Sequence, residues 1–425
     1  MEPLKVALVG CGRRGQSIYL PILKAFKDVV QVTAVCDPAA ENATAGAEAF
    51  GVPKYTSLRD LVKDRPMEAA LCPTPAVSHS AVSCLLSAGG VHNLIETPIC
   101  PTLSQGRAMV HAAEQHGVAF RVAENFFRDP WDLLARKLID ADVIGAVGRI
   151  TNYHAHLGYH NNSRHQVFAG SAPVAVNGVN HSMEIPEHVD NMHRRYGAEV
   201  FRSRLYHFPD GLLITDVGGH AKSTLGRYPR PGYHEIDGAV GAIIQQALEH
   251  WTGQGEVRVV PQERFANGVS PYSDSYPIVY LWEDHDGKAV ETKTICKGGW
   301  GGWAKEMTFC GVKVELPDGE FRYEPEMRTL GIRNAYLQEV AGCIYDFARQ
   351  VRGEADYPFT PEMAVMSLQM EYAADLSARR EGVCVGIEDA GLEDLDAEML
   401  AKQKEAWGVD PLDFEAMIDI GFPKA

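Results

Sequence analysis

Short apolar runs alternate with helix-length amphipathic stretches over roughly the first 125 residues. Val6-Ala-Leu-Val9, Val32-Thr-Ala-Val-Cys36, Ala69-Ala-Leu-Cys72, Val91-His-Asn-Leu-Ile95 and Val118-Ala-Phe-Arg-Val122 read as strands. They are apolar nearly throughout, as strands buried on both faces must be. Helical spacing follows the first strand as far as about Ala25 and recurs near Ser57–Lys63, His79–Ser87 and Ser104–His116. The expected fold class is α/β, with an N-terminal doubly wound parallel sheet over residues 1–126.

The rhythm then changes. After an amphipathic helix from Trp131 to Ile139, strands are expected at Val147–His156, Glu199–His207, Leu212–Asp216, Tyr276–Glu283, Ala289–Ile295, Met307–Cys310 and Lys313–Leu316. Such strand-rich sequence predicts an α+β domain with an open, largely antiparallel sheet over 127–390. The stretch from Gly158 to about Pro186 is rich in Gly, Asn, Ser and His and reads as a long active-site loop. Helices are expected at Arg333–Val351 and Pro361–Arg380, then in an acidic helical tail over 391–425, at Ala397–Trp407 and Pro411–Ile418.

Bulk properties narrow the partners. A net charge of −16 disfavours nucleic acid and anionic membrane surfaces. No apolar run reaches the ~18 residues that suggest a membrane helix, and the N-terminus lacks the zones of a secretion signal. The nine cysteines are scattered, with Cys36, Cys72 and Cys84 inside apolar runs and no C-x-x-C pair. A reduced cytoplasmic protein is expected.

The strongest local signal is Gly10-Cys-Gly12-Arg13-Arg14-Gly15, directly after the first strand and opening a helix. A diphosphate needs backbone N–H groups brought close, which side chains obstruct and glycines permit, while the helix start adds partial positive charge. Asp37 closes the second strand 22 residues beyond Gly15. A carboxylate there accepts bonds from ribose hydroxyls and repels a 2′-phosphate, which favours NAD over NADP. Further ligand contacts are expected where parallel strands end, at Pro73, Thr74 and His79, then Glu96-Thr97-Pro98, then Asn125.

This order of motifs resembles the glucose–fructose oxidoreductase/inositol dehydrogenase/MocA (Gfo/Idh/MocA) family. The resemblance continues through Phe127-Arg-Asp-Pro130, Leu138–Gly148, Asp216-Val-Gly-Gly-His220 and Ala374-Asp-Leu-Ser377, and covers about residues 4–387. It implies a Rossmann domain, a mixed-sheet domain that also serves oligomerisation (a homo-oligomer, dimer or tetramer), and a sugar or polyol held over the nicotinamide. Two departures stand out. The family's E-K-P reads Glu96-Thr97-Pro98 here, so its lysine is absent, with Lys222 a nearby substitute cation. Glu124-Asn-Phe-Phe127 together with the missing lysine looks like the branch that hydrolyses glycosides with bound NAD, which includes α-N-acetylgalactosaminidases and sulfoquinovosidases. That branch implies oxidation at C3, elimination of the aglycone, hydration at C1 and re-reduction. A plain NAD-dependent sugar or polyol dehydrogenase and a non-catalytic NAD or sugar sensor are the alternatives.

Asp216 and His220 are four residues apart and share a face if a helix begins there. An imidazole with a pKa of about 6.5 suits removal of a hydroxyl proton, so His220 is the expected acid/base and Asp216 its orienting partner. Substrate contacts are expected from Glu124, His154, His156, Tyr159, Asn177 and His181, with Asn180 beside them. His154, His156 and His160 could instead hold a metal, but no acidic or thiol partner stands at ligand spacing, and none is expected. Arg164, Arg227 and Arg230 could meet an anionic substituent, and Trp300 and Trp303 could close a neighbouring site.

Overall fold

The computed structural model describes residues 2–128, 130–153, 158–189, 195–219, 233–245, 278–281, 290–293, 306–309, 312–315 and 335–420. Its N-terminal domain is the expected parallel sheet. The strands are β1 (Leu4–Val9), β2 (Val30–Cys36), β3 (Lys54–Tyr55), β4 (Ala69–Cys72), β5 (His92–Ile95) and β6 (Phe120–Val122), in the order β3-β2-β1-β4-β5-β6. The helices between them are α1 (Leu20–Ala25), α2 (Ala40–Phe50), α3 (Leu58–Asp64), α4 (His79–Ala88) and α5 (Leu103–His116). Val6, Leu8, Leu71, Leu94 and Ile95 are sealed between the helical layers, which is why these strands carry so little polar alternation. Local chemistry sets the helix ends. The Ser57 and Thr102 hydroxyls accept from Asp60 N and Gln105 N, and Gly117, at φ +64°, stops α5.

The second domain is a nine-stranded mixed sheet. Its core strands are β7 (Val147–Tyr153), β8 (Ala175–Val189), β9 (Arg195–His207), β10 (Leu213–Gly219), β11 (Tyr233–Gly238) and β12 (Gly241–Gln245). The short pieces β13 (Ile278–Leu281) and β14 (Val290–Lys293) extend one edge, and β17 (Val385–Gly386) closes the other. The order is β14-β13-β12-β11-β7-β10-β9-β8-β17, with β7 and β10 parallel and the other pairs antiparallel. A separate hairpin joins β15 (Glu306–Phe309) to β16 (Val312–Glu315). Alternation along β9 and β10 is that of a sheet covered on one side: Arg204, Tyr206, Ile214 and Asp216 are buried, whereas Phe201 and Leu213 are exposed.

The expected loop from Gly158 to Pro186 is not a loop. It forms α7 (Gly158–Ala169) and most of β8. Its polarity misleads because the polar side chains of α7 bond inside the protein. Asn162 donates to Glu371 Oε1 (2.8 Å) and to Ser367 O (2.9 Å), and Gln166 donates to Ser367 Oγ (2.9 Å). These partners lie on a long helix, α9 (Pro361–Arg379). A Cβ at residue 158 would meet the Glu371 carboxylate and the Arg204 guanidinium, so a larger residue where α7 starts would displace this ion pair.

Helix α6 (Pro130–Asp140) leads into the second domain, and α8 (Ala335–Val351) and α9 (Pro361–Arg379) return from its sheet to the first domain. The acidic tail then forms α10 (Gly391–Trp407) and α11 (Phe414–Ile418), which pack back on the N-terminal domain of the same chain. Arg59 is paired with Glu415 and Asp419, and Gln105 donates to Pro411 O at 3.3 Å. The buried Asp396 carboxylate accepts Leu103 N (2.6 Å), Ser104 N (3.1 Å) and the Ser104 hydroxyl, capping the first turn of α5 from the tail. Asp396→Ala strips two helix N–H groups of their acceptor in a dry site. It should cost about 2–4 kcal/mol of unfolding free energy, read as a lower denaturation midpoint with an unchanged m-value.

Candidate active site

The turn after β1 is built as a diphosphate cradle. Gly10 holds φ +100°, and a Cβ on it would lie 2.8 Å from Pro73 O. A Cβ on Gly15 would overlap the Gly10 carbonyl, whereas Gly12 faces open space with nothing nearer than Asn42 Nδ2 at 3.8 Å. The first and last glycines let backbone pack on backbone, and the middle one leaves room for a ligand. Arg13 is exposed beside it. Asp37 ties the end of β2 to this turn: Oδ2 accepts Cys11 N (2.8 Å), while Oδ1 accepts Ala39 N (2.9 Å) and Asn42 Nδ2 (3.3 Å).

The neighbouring strand ends complete the crevice. Thr74 Oγ1 is buried beside Gly10 and has no hydrogen-bond partner among the described residues, as expected of a group whose partner is a ligand. Glu96 Oε1 accepts from Arg14 Nε (2.7 Å), and Oε2 accepts Thr97 N (3.1 Å). Arg14 therefore braces the Glu96-Thr97-Pro98 turn. His79 lies beneath the crevice floor instead of lining it, with Nε2 2.9 Å from Thr74 O and Nδ1 2.9 Å from Pro98 O. Burial pushes its pKa below the ordinary imidazole value, against the pull of these carbonyls. It joins the two turns as a structural pin.

After β6, Glu124 and Asn125 are held from α8 by residues on one helical face. Glu339 accepts Asn125 Nδ2 at 2.6 Å, Cys343 Sγ donates to Glu124 O at 3.2 Å, and Asp346 accepts from Arg128 at 2.6 Å. The Glu124 side chain then meets α7. Its Oε1 accepts Phe126 N (3.1 Å) and lies 2.7 Å from His160 Nδ1. The His160 ring stacks on Phe126 with centroids 4.1 Å apart and touches Tyr159 at 4.3 Å. A carboxylate at Nδ1 fixes the orientation and the tautomer of the ring. This imidazole–carboxylate pair lies where the carboxyl ends of the parallel strands meet the second domain.

The structure separates the remaining expected residues from this cluster. Asp216 is on β10, not at a helix start, because Leu213–Val217 pairs with Arg149–Tyr153 on one side and with Ser203–His207 on the other. Its buried carboxylate accepts from Asn152 Nδ2 (3.0 Å) and Asn161 Nδ2 (3.3 Å), with His165 Nε2 3.4 Å away. Burial raises its pKa, but the hydrogen bonds and the charges of His165 and Arg204 outweigh that and hold it below the usual carboxylate value. Asp216 thus braces the inner face of α7. Asn177 bonds Gly382 O (3.0 Å) and His207 Nε2 (2.8 Å) near the β17 edge, Asn180 reaches Asp375 (3.2 Å), and His181 is exposed on β8. None of these joins the crevice. Arg164 is buried against Asp132 (2.9 Å) and is not a surface anion site. His154, His156, His220, Lys222, Arg227, Arg230, Trp300 and Trp303 lie outside the described residues. Among those described, no group of three His, Cys, Asp or Glu side chains is arranged to hold a metal.

His160, expected only as a possible metal ligand, is instead paired with Glu124. The available signal was Gly158-Tyr-His160 at the head of a helix, obscured by reading that helix as loop.

Comparison with known proteins agrees with the fold. Residues 4–124 match the family model described as "Oxidoreductase family, NAD-binding Rossmann fold". A D-apiose dehydrogenase from Paraburkholderia graminis is 31% identical over 133 residues, which are 31% of this chain and 34% of that protein. A 2,7-anhydro-N-acetylneuraminate hydratase from Mediterraneibacter gnavus is 31% identical over 149 residues, 35% of this chain and 38% of its own. The matched segment thus spans little more than a third of these relatives. In three dimensions, a levoglucosan dehydrogenase solved with NADH and levoglucosan superposes with a TM-score of 0.64 at 17% identity, covering 91% of this chain and 100% of that one. Both domains of this chain therefore follow a fold already seen in an oxidoreductase.

Proposed function

Since the chain belongs, through residues 4–124, to the Gfo/Idh/MocA family of NAD-binding oxidoreductases, we propose that it oxidises a secondary hydroxyl of a sugar or glycoside, with His160 as the acid/base group. The observation that carries this reading is the 2.7 Å contact between His160 Nδ1 and Glu124 Oε1 just past the carboxyl end of β6, in the sheet that carries the glycine turn. Gly10, Gly12, Gly15, Asp37 and Thr74 would hold the dinucleotide, which supplies a hydride acceptor when bound. His160 Nε2 takes the hydroxyl proton as the carbinol C–H bond breaks. Glu124 keeps the ring in the tautomer that accepts at Nε2 and stabilises the imidazolium that results. Thr97, where the family's usual E-K-P carries a lysine, offers a hydroxyl hydrogen bond without charge.

That neutral position favours a second outcome, net hydrolysis. A ketone formed at one ring carbon acidifies the neighbouring C–H. Loss of that proton expels the substituent at C1, water adds there, and reduction of the ketone restores the ring, so no net oxidation remains. The similarity to a protein named as a hydratase points the same way. The test incubates NAD-loaded protein with free sugars and their aryl glycosides, following reduced nicotinamide and released aglycone together. Stoichiometric reduced nicotinamide identifies a dehydrogenase, and aglycone release without it identifies the hydrolase. A protein that binds NAD yet shows neither signal with any member of the panel contradicts the proposal.

A further inference from the structure

Beside the Glu124/His160 pair lies a cavity of about 160 Å³, with Thr97, Glu124 and Tyr159 forming its wall on the active-site side. Ile99, Val122, Phe359, Ala364 and Leu368 line much of the rest, so its surface is mostly hydrocarbon, although it is partly open to solvent. Helix α9 supplies much of this face from positions 364, 367, 368 and 371, the spacing of one helical stripe. A sugar ring, with a hydroxyl on nearly every carbon, is a poor occupant, because each hydroxyl buried there would lose its water partners. The volume is close to that of cavities of ~150 Å³ that accept a single benzene ring.

The two carboxylates on the walls do not ask for a cationic ligand. Glu124 is hydrogen-bonded to His160 Nδ1, and Glu371 is gripped by Arg204 through both oxygens and by Asn162 at 2.8 Å. They do repel anions. The geometry points to a subsite for a compact, uncharged, apolar group carried by the substrate, of the size of one six-membered ring. The substrate class is then a glycoside of a phenol or a similar small apolar alcohol, in preference to a free sugar, a sugar phosphate or a disaccharide. This assignment rests on the reading of Glu124/His160 as the reacting site and adds what stands next to the reacting ring.

The experiment has two arms on the full-length NAD-loaded protein. In the first, fluorobenzene is titrated and followed by ¹⁹F NMR line broadening, for the wild type and for Ala364→Leu, whose longer side chain fills the cavity. Leu368→Phe serves if the first variant does not fold, and NAD affinity reports folding for both. In the second, methyl and phenyl glycosides of each sugar are compared as substrates. The expected results are fluorobenzene binding lost in the filled variant, and a phenyl preference in kcat/KM of about 10- to 100-fold in the wild type that collapses in the variant. No binding to the wild type, binding that survives the filling substitution, or equal turnover of methyl and phenyl glycosides overturns the subsite. Binding that the variant loses, with no hydride transfer from any glycoside, upholds the cavity as an apolar site and sinks the redox reading instead.

Discussion

His160→Ala should slow hydride transfer by about 10²–10⁴-fold, the usual worth of a positioned general base, while NAD affinity stays within about twofold. The separation of effects follows from placement. His160 belongs to α7 in the second domain, and its contacts are with Glu124, Phe126 and Tyr159, whereas the diphosphate cradle belongs to the turn after β1. Glu124→Gln tests the same pair from the other side. The amide still occupies the space but cannot stabilise an imidazolium, so kcat should fall while KM changes little. The readout is single-turnover formation of reduced nicotinamide on the preferred substrate. Wild-type rates in His160→Ala would remove the acid/base assignment.

Gly15→Ala should abolish NAD binding at accessible concentrations, a loss of at least about 100-fold in affinity. The added methyl group points at the Gly10 carbonyl, well inside contact distance. Backbone, unlike a flexible side chain, cannot swing away. Gly10 cannot yield either, since its own φ of +100° places it against Pro73 O. The turn must open, and the N–H groups that face the ligand leave their positions. Gly12→Ala meets no protein atom closer than 3.8 Å and should leave the fold intact while still weakening NAD. Calorimetric titration separates these cases, because Gly15→Ala is expected to lower thermal stability as well as affinity.

The strands of the first domain were legible because burial on both faces leaves a nearly continuous apolar signature, as in Ala69–Cys72. Helix α2 carries little sequence signal because Ala40–Phe50 is rich in alanine and shows little contrast between faces. In the second domain, β11 and β12 escaped detection because Glu235 and Asp237 alternate with the buried His234 and Ile236, and Gly238 and Gly241 bracket a tight turn. The candidate site was readable in its cofactor half, where the signals are local: three glycines on one turn and an acid at the next strand end. Its proton-transfer half was not. Glu124 and His160 are 36 residues apart and meet only because β6 and α7 converge from different domains. The five-residue element Asp216–His220 looked like a dyad because helical spacing was assumed, whereas Asp216–Gly219 continues a strand. Polar residues in α7 read as an active-site loop because sequence does not show that Ser367 and Glu371 await them on α9.

The most direct measurement is the position of the reacting hydroxyl in a crystal structure of the protein with NAD and a slow or non-reacting glycoside. The oxygen should lie within hydrogen-bond reach of His160 Nε2, about 2.6–3.2 Å, with its carbon facing the nicotinamide. A hydroxyl bound against Asp216, with His160 out of reach, would contradict the assignment.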